Sequence, residues 1–337
     1  METWVWERAV NLKSHPILAD HVVMDKYLLP LTGQIEMLWE TVFEDEMPIS
    51  FTDLNVVSPL LLPENGTQVI QIVRKDTQYE ISSRSAHHSG AAWMRNTKAN
   101  RSTLTGTVEE IDLDSIRDRC HQRITGGRFY QRASEIGFNY GAEFRQVVDL
   151  VHSDNEVLTT ISTNNRNEGP YRLHPGTLDA GLQAMILLAS KDRMYLPKRV
   201  QNVLLIRRPK PTEKLFAYSR YRDKVDDINL LADVSLVDSS GQPLVILEGV
   251  ECSKTEYSVN RGKIGNPYDF YAEKWESVVS WDQPTPPNSI KKWYVFTDNY
   301  EFGASLVNSL SKFVDKADLI DISGGRLGEE KNVFSTV

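Results

Sequence analysis

Two ionisable side chains, His21 and Asp179, lie in local settings that suit proton transfer. His21 stands in the stretch HVVMDKYLLP, before a β-like segment and a helix that begins after Pro30. Because imidazole titrates near physiological pH, a neutral His21 could act as a general base. The alternative is a structural histidine that hydrogen-bonds to a backbone carbonyl near the helix entry.

Asp179 lies in the first turns of a second helix, in the stretch LHPGTLDAGLQ, where Leu178, Ala180 and Leu182 surround it. Apolar surroundings raise the pKa of a carboxyl group and favour its protonated form, which a general acid needs near neutral pH. Gln183 follows four residues later and therefore shares the helix face of Asp179. The alternative is an aspartate that serves only as a first-turn charge or cap.

A third group of residues centres on Tyr140, in the stretch GFNYGAEF. Gly137 and Gly141 flank the aromatic residues, and this pattern predicts a tight turn that places the Tyr140 ring. The alternative is a loop aromatic residue that packs on the core.

Two strongly apolar helices must position these residues. The first, LTGQIEMLWETVF, follows Pro30, and the second, GTLDAGLQAMILLAS, follows Pro175. A helix that apolar must be buried on most of its surface. We therefore expect a curved antiparallel sheet around each helix, in two tandem units. The apolar residues at helical spacing are Ile35, Leu38, Trp39 and Val42 in the first helix, and Leu178, Leu182, Met185 and Ile186 in the second.

Alternating polar and apolar residues predict the strands of these sheets. Two further helices are expected within Ile111–Ile136. The predicted strands are Thr67–Lys75, Tyr79–Arg84, Val157–Thr163, Lys214–Arg222, Leu230–Val237 and Leu244–Val250.

The character of the chain changes near its C-terminal end. Residues 254–266 are polar and predict a linker. Beyond it, a strand (Lys292–Thr297), an amphipathic helix (Gly303–Phe313) and a second strand (Ala317–Ile322) follow one another. This order is typical of a βαβ unit, so residues 267–337 are expected to begin an α/β segment.

Composition narrows the class of protein. The 337 residues are 40% hydrophobic and 25% charged with a net charge of −8, as in an acidic globular enzyme, and no long basic run favours nucleic acid. Cys120 and Cys252 belong to no CxxC pair, so neither a disulfide framework nor a zinc site is expected. No signal peptide or membrane-spanning run is apparent, which predicts a cytoplasmic protein. The last residues suggest a piece of a longer polypeptide.

Taken together and in this order, HVVMDKYLLP, GFNYGAEF and LHPGTLDAGLQ resemble the dehydratase domain of modular type I polyketide synthases. That family carries HxxxGxxxxP, GYxYGPxF and LDxxxQ at these places, and the stretch YLP at 195–197 matches a further Leu-Pro stretch. The resemblance covers about residues 1–253. The segment from about residue 267, with YAEKWESV and WYVFTD, resembles the start of the structural subdomain of a ketoreductase.

Three positions depart from the family pattern. Asp25 and Leu31 stand where the family has glycine, and Ala142 stands where it has proline. His21 and Asp179 are both retained.

The resemblance implies an α+β double hotdog, in which two antiparallel sheets each wrap a central helix. The halves would be about 1–125 and 145–253, with the active site between them. It also implies elimination of water from a β-hydroxyacyl thioester: His21 removes the proton next to the carbonyl, and protonated Asp179 donates to the leaving hydroxyl. The residues expected to orient the substrate are Tyr140, Gln183, Gly141, Pro30 and Leu31.

The resemblance further implies that no metal or redox cofactor is required, because the substrate rides on the phosphopantetheine arm of an acyl carrier protein. The carrier protein of the same synthase, a neighbouring ketoreductase and other module domains are the expected partners. A homodimer is expected by the same analogy. Neither nucleic acid nor a membrane is an expected partner.

Other functions stay open at this stage. The same fold could couple dehydration to pyran-forming cyclisation or to a double-bond shift, although domains of the latter kind tend to lose the aspartate that is present here. A catalytically inactive scaffold or carrier-docking domain is the alternative from another class, and the three departures favour it. A stand-alone thioester hydrolase shares the fold, but the chain has no GxSxG elbow.

Overall fold

The computed structural model describes residues 2–42, 44–86, 92–103, 108–162, 170–185, 194–223 and 229–255, and from the C-terminal segment residues 293–297, 307 and 317–321. The chain forms two compact units, Met1–Ala272 and Glu273–Val337. No helix among these residues is long and apolar enough to cross a membrane.

The described residues of the first part of the larger unit form eight strands, one 3-10 helix and one α-helix. The strands are β1 (Thr3–Val10), β2 (His21–Val23), β3 (Lys26–Leu28), β4 (Ile49–Val56), β5 (Leu61–Leu62), β6 (Gln68–Lys75), β7 (Gln78–Ser85) and β8 (Met94–Ser102). The 3-10 helix is Pro16–Asp20 and the α-helix is α1 (Leu31–Glu40).

The second part, so far as the structure describes it, contains three α-helices and eight more strands. The helices are α2 (Leu113–Arg119), α3 (Gly126–Glu135) and α4 (Pro175–Gln183). The strands are β9 (Gln122–Thr125), β10 (Phe138–Tyr140), β11 (Val147–His152), β12 (Glu156–Ile161), β13 (Met194–Leu205), β14 (Leu215–Asp223), β15 (Asn229–Asp238) and β16 (Pro243–Thr255).

One antiparallel sheet of twelve strands spans the larger unit, in the order β1-β6-β7-β8-β4-β13-β16-β15-β14-β12-β11-β9. The two halves of the sheet meet where β4 pairs with β13, from Ile49 opposite Leu205 to Asn55 opposite Arg199. A separate four-stranded sheet has the order β10-β2-β3-β5. Because β10 pairs there with β2, this small sheet joins a strand of the second part to one of the first.

Each half of the large sheet encloses one helix. Ile35, Leu38 and Trp39 of α1 are almost completely buried, and every residue of α4 is buried. α4 packs on β12, β14 and β15 and also against α1. A side chain at Gly181 would meet Val234 at 2.8 Å, so α4 lies too close to the sheet there for any larger residue. The architecture is the double hotdog expected from the sequence.

The division into halves needs one correction. The predicted boundary assigned residues up to about 125 to the first half, but β9 hydrogen-bonds to β11 of the second half. The sheet of the first half therefore ends with β8, at Ser102. Strand pairing across the chain decides this boundary, and residues 103–125 carry no local signal for it. β16 also continues to Thr255, two residues beyond the predicted end of the domain.

In the smaller unit, β17 (Trp293–Thr297) and β18 (Ala317–Asp321) pair in parallel, at the places where the sequence predicts two strands. Val307 is helical. The rest of the predicted helix 303–313 and most of the linker 254–266 lie outside the described residues. The limits of the linker and of the C-terminal segment, and the resemblance of that segment to a ketoreductase, stay predictions.

Candidate active site

The β2–β3 hairpin carries His21. Val23 pairs with Lys26, so the hairpin turn consists of Met24 and Asp25, with φ values of 49° and 58°. Two positive φ values define a type I′ turn, in which glycine is preferred and aspartate is tolerated. Asp25, which stands where the family has glycine, is exposed at this turn. Replacing the family's glycine with Asp25 therefore affects the backbone conformation of the hairpin turn.

The imidazole of His21 is buried, with 6% of the residue exposed. Its Nδ1 lies 2.9 Å from the carbonyl oxygen of Leu28, which holds the hydrogen on Nδ1 and leaves the lone pair on Nε2. The rings of Tyr140 and Phe144 pack beside it, at centroid distances of 5.5 Å and 5.0 Å. Burial lowers the pKa of His21, although the nearby carboxyl of Asp179 opposes this effect. The result favours a neutral base.

Asp179 reaches the same place from α4. The Thr32 hydroxyl donates to Oδ1 at 3.3 Å, and the Gln183 amide donates to Oδ2 at 2.8 Å. Burial raises the pKa of Asp179, whereas His21 and these two hydrogen bonds lower it. The fully buried position makes the effect of burial dominate, which favours the protonated acid.

His21 Nε2 and Asp179 Oδ2 face one another at 4.0 Å. This distance exceeds a hydrogen bond, so the two groups can each act on a third one. The structure thus brings together the base candidate from the first half and the acid candidate from the second.

The stretch GFNYGAEF, the second motif in chain order, folds against Asp20, the residue before His21. The Gly141 N–H donates to the Asp20 carbonyl oxygen at 2.8 Å, and the Glu143 N–H donates to the Asp20 carboxylate at 2.8 Å. A Cβ atom on Gly141 would lie 2.1 Å from that carboxylate, so the position requires glycine. Ala142 is exposed at the tip of this turn, away from the buried pair.

Tyr140 pairs directly opposite His21 in the small sheet. Burial raises the pKa of the Tyr140 phenol and keeps it protonated. Among the described residues, none hydrogen-bonds to its hydroxyl.

Pro30 and Leu31 begin α1. Pro30 caps the helix in an extended conformation (φ −64°, ψ 154°), and Leu31 is its first residue, with its side chain in the core. The first N–H groups of a helix have no partner within it. The first turn of α1 lies beside Asp179, because the Thr32 hydroxyl donates to the Asp179 carboxyl.

The stretch LHPGTLDAGLQ, the third motif in chain order, contains a structural histidine, His174. His174 caps α4: its Nδ1 accepts from the Gly176 N–H at 3.2 Å, and its Nε2 lies 3.2 Å from the Glu143 carboxylate. The second and third motifs are therefore connected through Glu143 and His174.

Several contacting residues were missed by the sequence analysis. Thr32 lies in the first turn of α1 and Asp20 directly precedes His21, so small polar side chains next to motif residues were the available signal. Tyr130 of α3, whose hydroxyl lies 3.0 Å from Gln183 Oε1, had no local signal.

Two family models match this chain. "Polyketide synthase dehydratase domain" matches residues 1–86, and "Polyketide synthase dehydratase N-terminal domain" matches residues 109–260. Together they cover well over half of the chain, and they include all three motifs.

Curated relatives are polyketide synthases. A highly reducing polyketide synthase (g433) of a Fusarium species is 28% identical over 62% of this chain, and the mycoketide-CoA synthase of Mycobacterium tuberculosis is 29% identical over 56%. The chain spans 9% and 5% of these two proteins.

Solved structures share the fold. The dehydratase domain from the CurF module of curacin polyketide synthase superposes with a TM-score of 0.65 at 23% identity, covering 75% of this chain and 94% of that domain. The dehydratase of a mycocerosic acid synthase-like polyketide synthase gives 0.64 at 20% identity, covering 74% and 91%. With the family models, these matches show that the chain belongs to the polyketide synthase dehydratase family.

Proposed function

We propose that this chain removes water from a β-hydroxyacyl thioester to give an α,β-unsaturated thioester, with His21 as base and Asp179 as acid. The observation that carries the proposal is the buried pair itself, facing at 4.0 Å. Burial moves the pKa of His21 down and that of Asp179 up. Both residues therefore favour the neutral forms that the elimination needs at one pH.

The hydrogen bonds support a role for each residue. Nδ1 of His21 is occupied by the Leu28 carbonyl, so Nε2 would take the proton from the carbon next to the thioester carbonyl. Both oxygens of Asp179 accept a hydrogen bond, Oδ1 from Thr32 and Oδ2 from Gln183, and these bonds hold the carboxyl group in place. Its proton would pass to the departing hydroxyl, which leaves as water.

The thioester oxygen gains negative charge as the proton next to the carbonyl is removed. The N–H groups after Pro30, beginning with that of Leu31, are the candidate donors, because the N-terminus of a helix favours negative charge. Tyr140 and Gly141 would help to orient the substrate. The Tyr140 hydroxyl lies beside His21 with no hydrogen-bond partner in the described part of the chain, and Gly141 allows the close approach of Asp20.

The substrate carrier and partners follow from the family. We infer that an acyl carrier protein of the same synthase presents the substrate on its phosphopantetheine arm, with no metal or redox cofactor in the chemistry. A neighbouring ketoreductase and a homodimeric arrangement belong to the same proposal. The matched relatives are polyketide synthases of which this chain spans only a small part, which supports a place within a larger assembly.

Inactive mutants of a related dehydratase support the choice of residues. For the dehydratase of the CurK module, one solved structure is described as an inactive mutant with histidine replaced by phenylalanine, and another as an inactive mutant with aspartate replaced by asparagine. His21 and Asp179 are the histidine and aspartate that face one another here.

The departures from the family pattern have structural explanations. Asp25 and Ala142 are exposed in turns, and Leu31 turns its side chain into the core. These placements weaken the reason to favour an inactive scaffold. Cyclisation after dehydration would begin with the same elimination.

The test uses both hydroxyl epimers of a short β-hydroxyacyl thioester on a pantetheine mimic, with mass spectrometry to follow loss of one water. We expect turnover of one epimer, with at least a hundredfold loss in both His21→Ala and Asp179→Asn. A folded wild-type chain that binds the substrate and releases no water would refute the proposal. It would instead favour the inactive scaffold or carrier-docking domain.

A further inference from the structure

One buried tyrosine hydroxyl, outside all three motifs, connects the supports of both proposed catalytic residues. The hydroxyl of Tyr130 lies 3.0 Å from Gln183 Oε1 and 3.1 Å from the Phe144 carbonyl oxygen, and it accepts from the Val147 N–H at 2.9 Å. Gln183 hydrogen-bonds to Asp179, and the Phe144 ring lies edge-on to His21.

The close packing of α3 keeps this hydroxyl in place. A Cβ atom on Gly126, the first residue of α3, would lie 2.1 Å from the Val147 carbonyl oxygen, so the helix touches β11 directly. The Tyr130 ring packs edge-on against the rings of Phe129 and Tyr140, and only 5% of the residue is exposed.

The hydroxyl determines which way the Gln183 amide points. The two amide hydrogens of Gln183 reach the Asp179 carboxyl at 2.8 Å and the Phe144 carbonyl oxygen at 3.0 Å. The Phe144 oxygen accepts from Gln183, whereas Tyr130 is the one donor that the described residues offer to Gln183 Oε1, so we assign the single hydroxyl proton of Tyr130 to Gln183 Oε1. An amide turned the other way would place its oxygen against the Phe144 oxygen and would lose this donor.

This orientation affects the acid. An amide N–H that donates to Asp179 favours the carboxylate and opposes the effect of burial, which raises the pKa of Asp179. A turned amide would instead accept the proton of the neutral acid and favour the protonated form.

We propose that Tyr130 is a positioning residue for the dehydration, which holds the Gln183 amide so that it donates to Asp179 and to the Phe144 carbonyl oxygen. This inference rests on the proposed function, because it assigns Tyr130 a part in that same site. Tyr130 is not a catalytic residue, since the described partners of its hydroxyl are Gln183, Phe144 and Val147 and include neither His21 nor Asp179.

The test is Tyr130→Phe, which keeps the packed ring and removes only the hydroxyl. We expect kcat to fall about tenfold while KM stays within about twofold, because the groups are misplaced without loss of binding surface. The alkaline limb of the pH profile of kcat/KM should move up by about one pH unit, because the released amide no longer favours the carboxylate.

A double-mutant cycle tests the route. In a Gln183→Ala background, Tyr130→Phe should change the pH profile by less than about 0.3 unit, because the connection to Asp179 is already absent. Tyr218→Phe is the matched control: it removes a tyrosine hydroxyl that lies 2.6 Å from Glu156, outside the dyad. It should lower the melting temperature and leave the pH profile unchanged.

Two results would overturn the inference: an unchanged alkaline limb in Tyr130→Phe, or an equal shift in the Gln183→Ala background. The pKa of Asp179, measured by carboxyl ¹³C titration of the ligand-free chain, separates this failure from that of the proposed function. If the wild type dehydrates nothing but the Asp179 pKa still rises in Tyr130→Phe, the positioning role stands and the reaction is wrong. If that pKa does not move, the positioning role is wrong.

Discussion

A buried glutamate outside the proposed dyad makes the stability of this protein depend on pH. Glu36 lies on α1 with 4% of the residue exposed, and its carboxylate accepts from the backbone N–H groups of Arg172 at 2.5 Å and Leu173 at 3.2 Å. These residues lead into α4. Burial raises the pKa of Glu36 from 4.5 to about 7, against the opposing effect of the two N–H donors.

Proton linkage gives the sign and the size of the Glu36 contribution to the free energy of unfolding. The folded state binds the Glu36 proton more tightly than the unfolded chain, so this contribution to stability is complete below pH 4.5 and is lost as the pH rises to about 7. A pKa difference of this size corresponds to about 3 kcal/mol. Glu36→Gln removes the titration, so the free energy of unfolding of the wild type minus that of the variant should fall by about 3 kcal/mol between pH 4.5 and 8.

Urea unfolding at a series of pH values, followed by tryptophan fluorescence, measures this difference. Subtracting the variant removes the contributions of other groups, including Asp179 and His21. Glu64→Gln, on the exposed surface, controls for the loss of one negative charge. A difference that stays constant within about 0.5 kcal/mol across the range would mean that Glu36 ionises normally in the folded state, and the argument from burial would be wrong.

Three further outcomes are expected. Asp25→Gly should stabilise the chain by about 0.5 kcal/mol without changing turnover, because glycine adopts the positive φ of the hairpin turn freely; a lower melting temperature would contradict this. Gly141→Ala should destabilise it by about 1–3 kcal/mol in chemical unfolding, because the added Cβ displaces the Asp20 carboxylate; an unchanged midpoint would refute the clash. Thr32→Val should raise the pKa of Asp179 in a carboxyl titration, because it removes a hydrogen bond that favours the carboxylate; no rise would show that this bond does not form.

The two central helices were predictable because their signal is local. Ile35, Leu38 and Trp39 recur at helical spacing, and the structure buries them on α1 as expected. Most long strands were predictable for the same reason, since alternation along β6 or β15 is visible without knowledge of any partner. The motifs also predicted the family, which the comparisons confirm.

Other strands have no such pattern. β8 reads as a polar segment, yet Asn96 and Thr97 within it are almost completely buried. Their partners are distant in sequence: Asn96 donates to the carbonyl oxygen of Pro59, and Thr97 donates to Gln34 at 2.5 Å. Only tertiary contacts can make such a segment an interior strand, because they supply acceptors for the Asn96 amide and the Thr97 hydroxyl, which burial would otherwise penalise.

The sequence by itself therefore determined the kind of fold, the two helices and the identity of His21 and Asp179 as candidates. The tertiary structure alone decided that they face one another, which hydrogen bond leaves His21 Nε2 free, and that Thr32 and Tyr130 belong to the same network. The physical reason is that pKa shifts and hydrogen-bond geometry depend on burial and on distances between residues far apart in the chain. Local sequence patterns give no information about burial or about these distances.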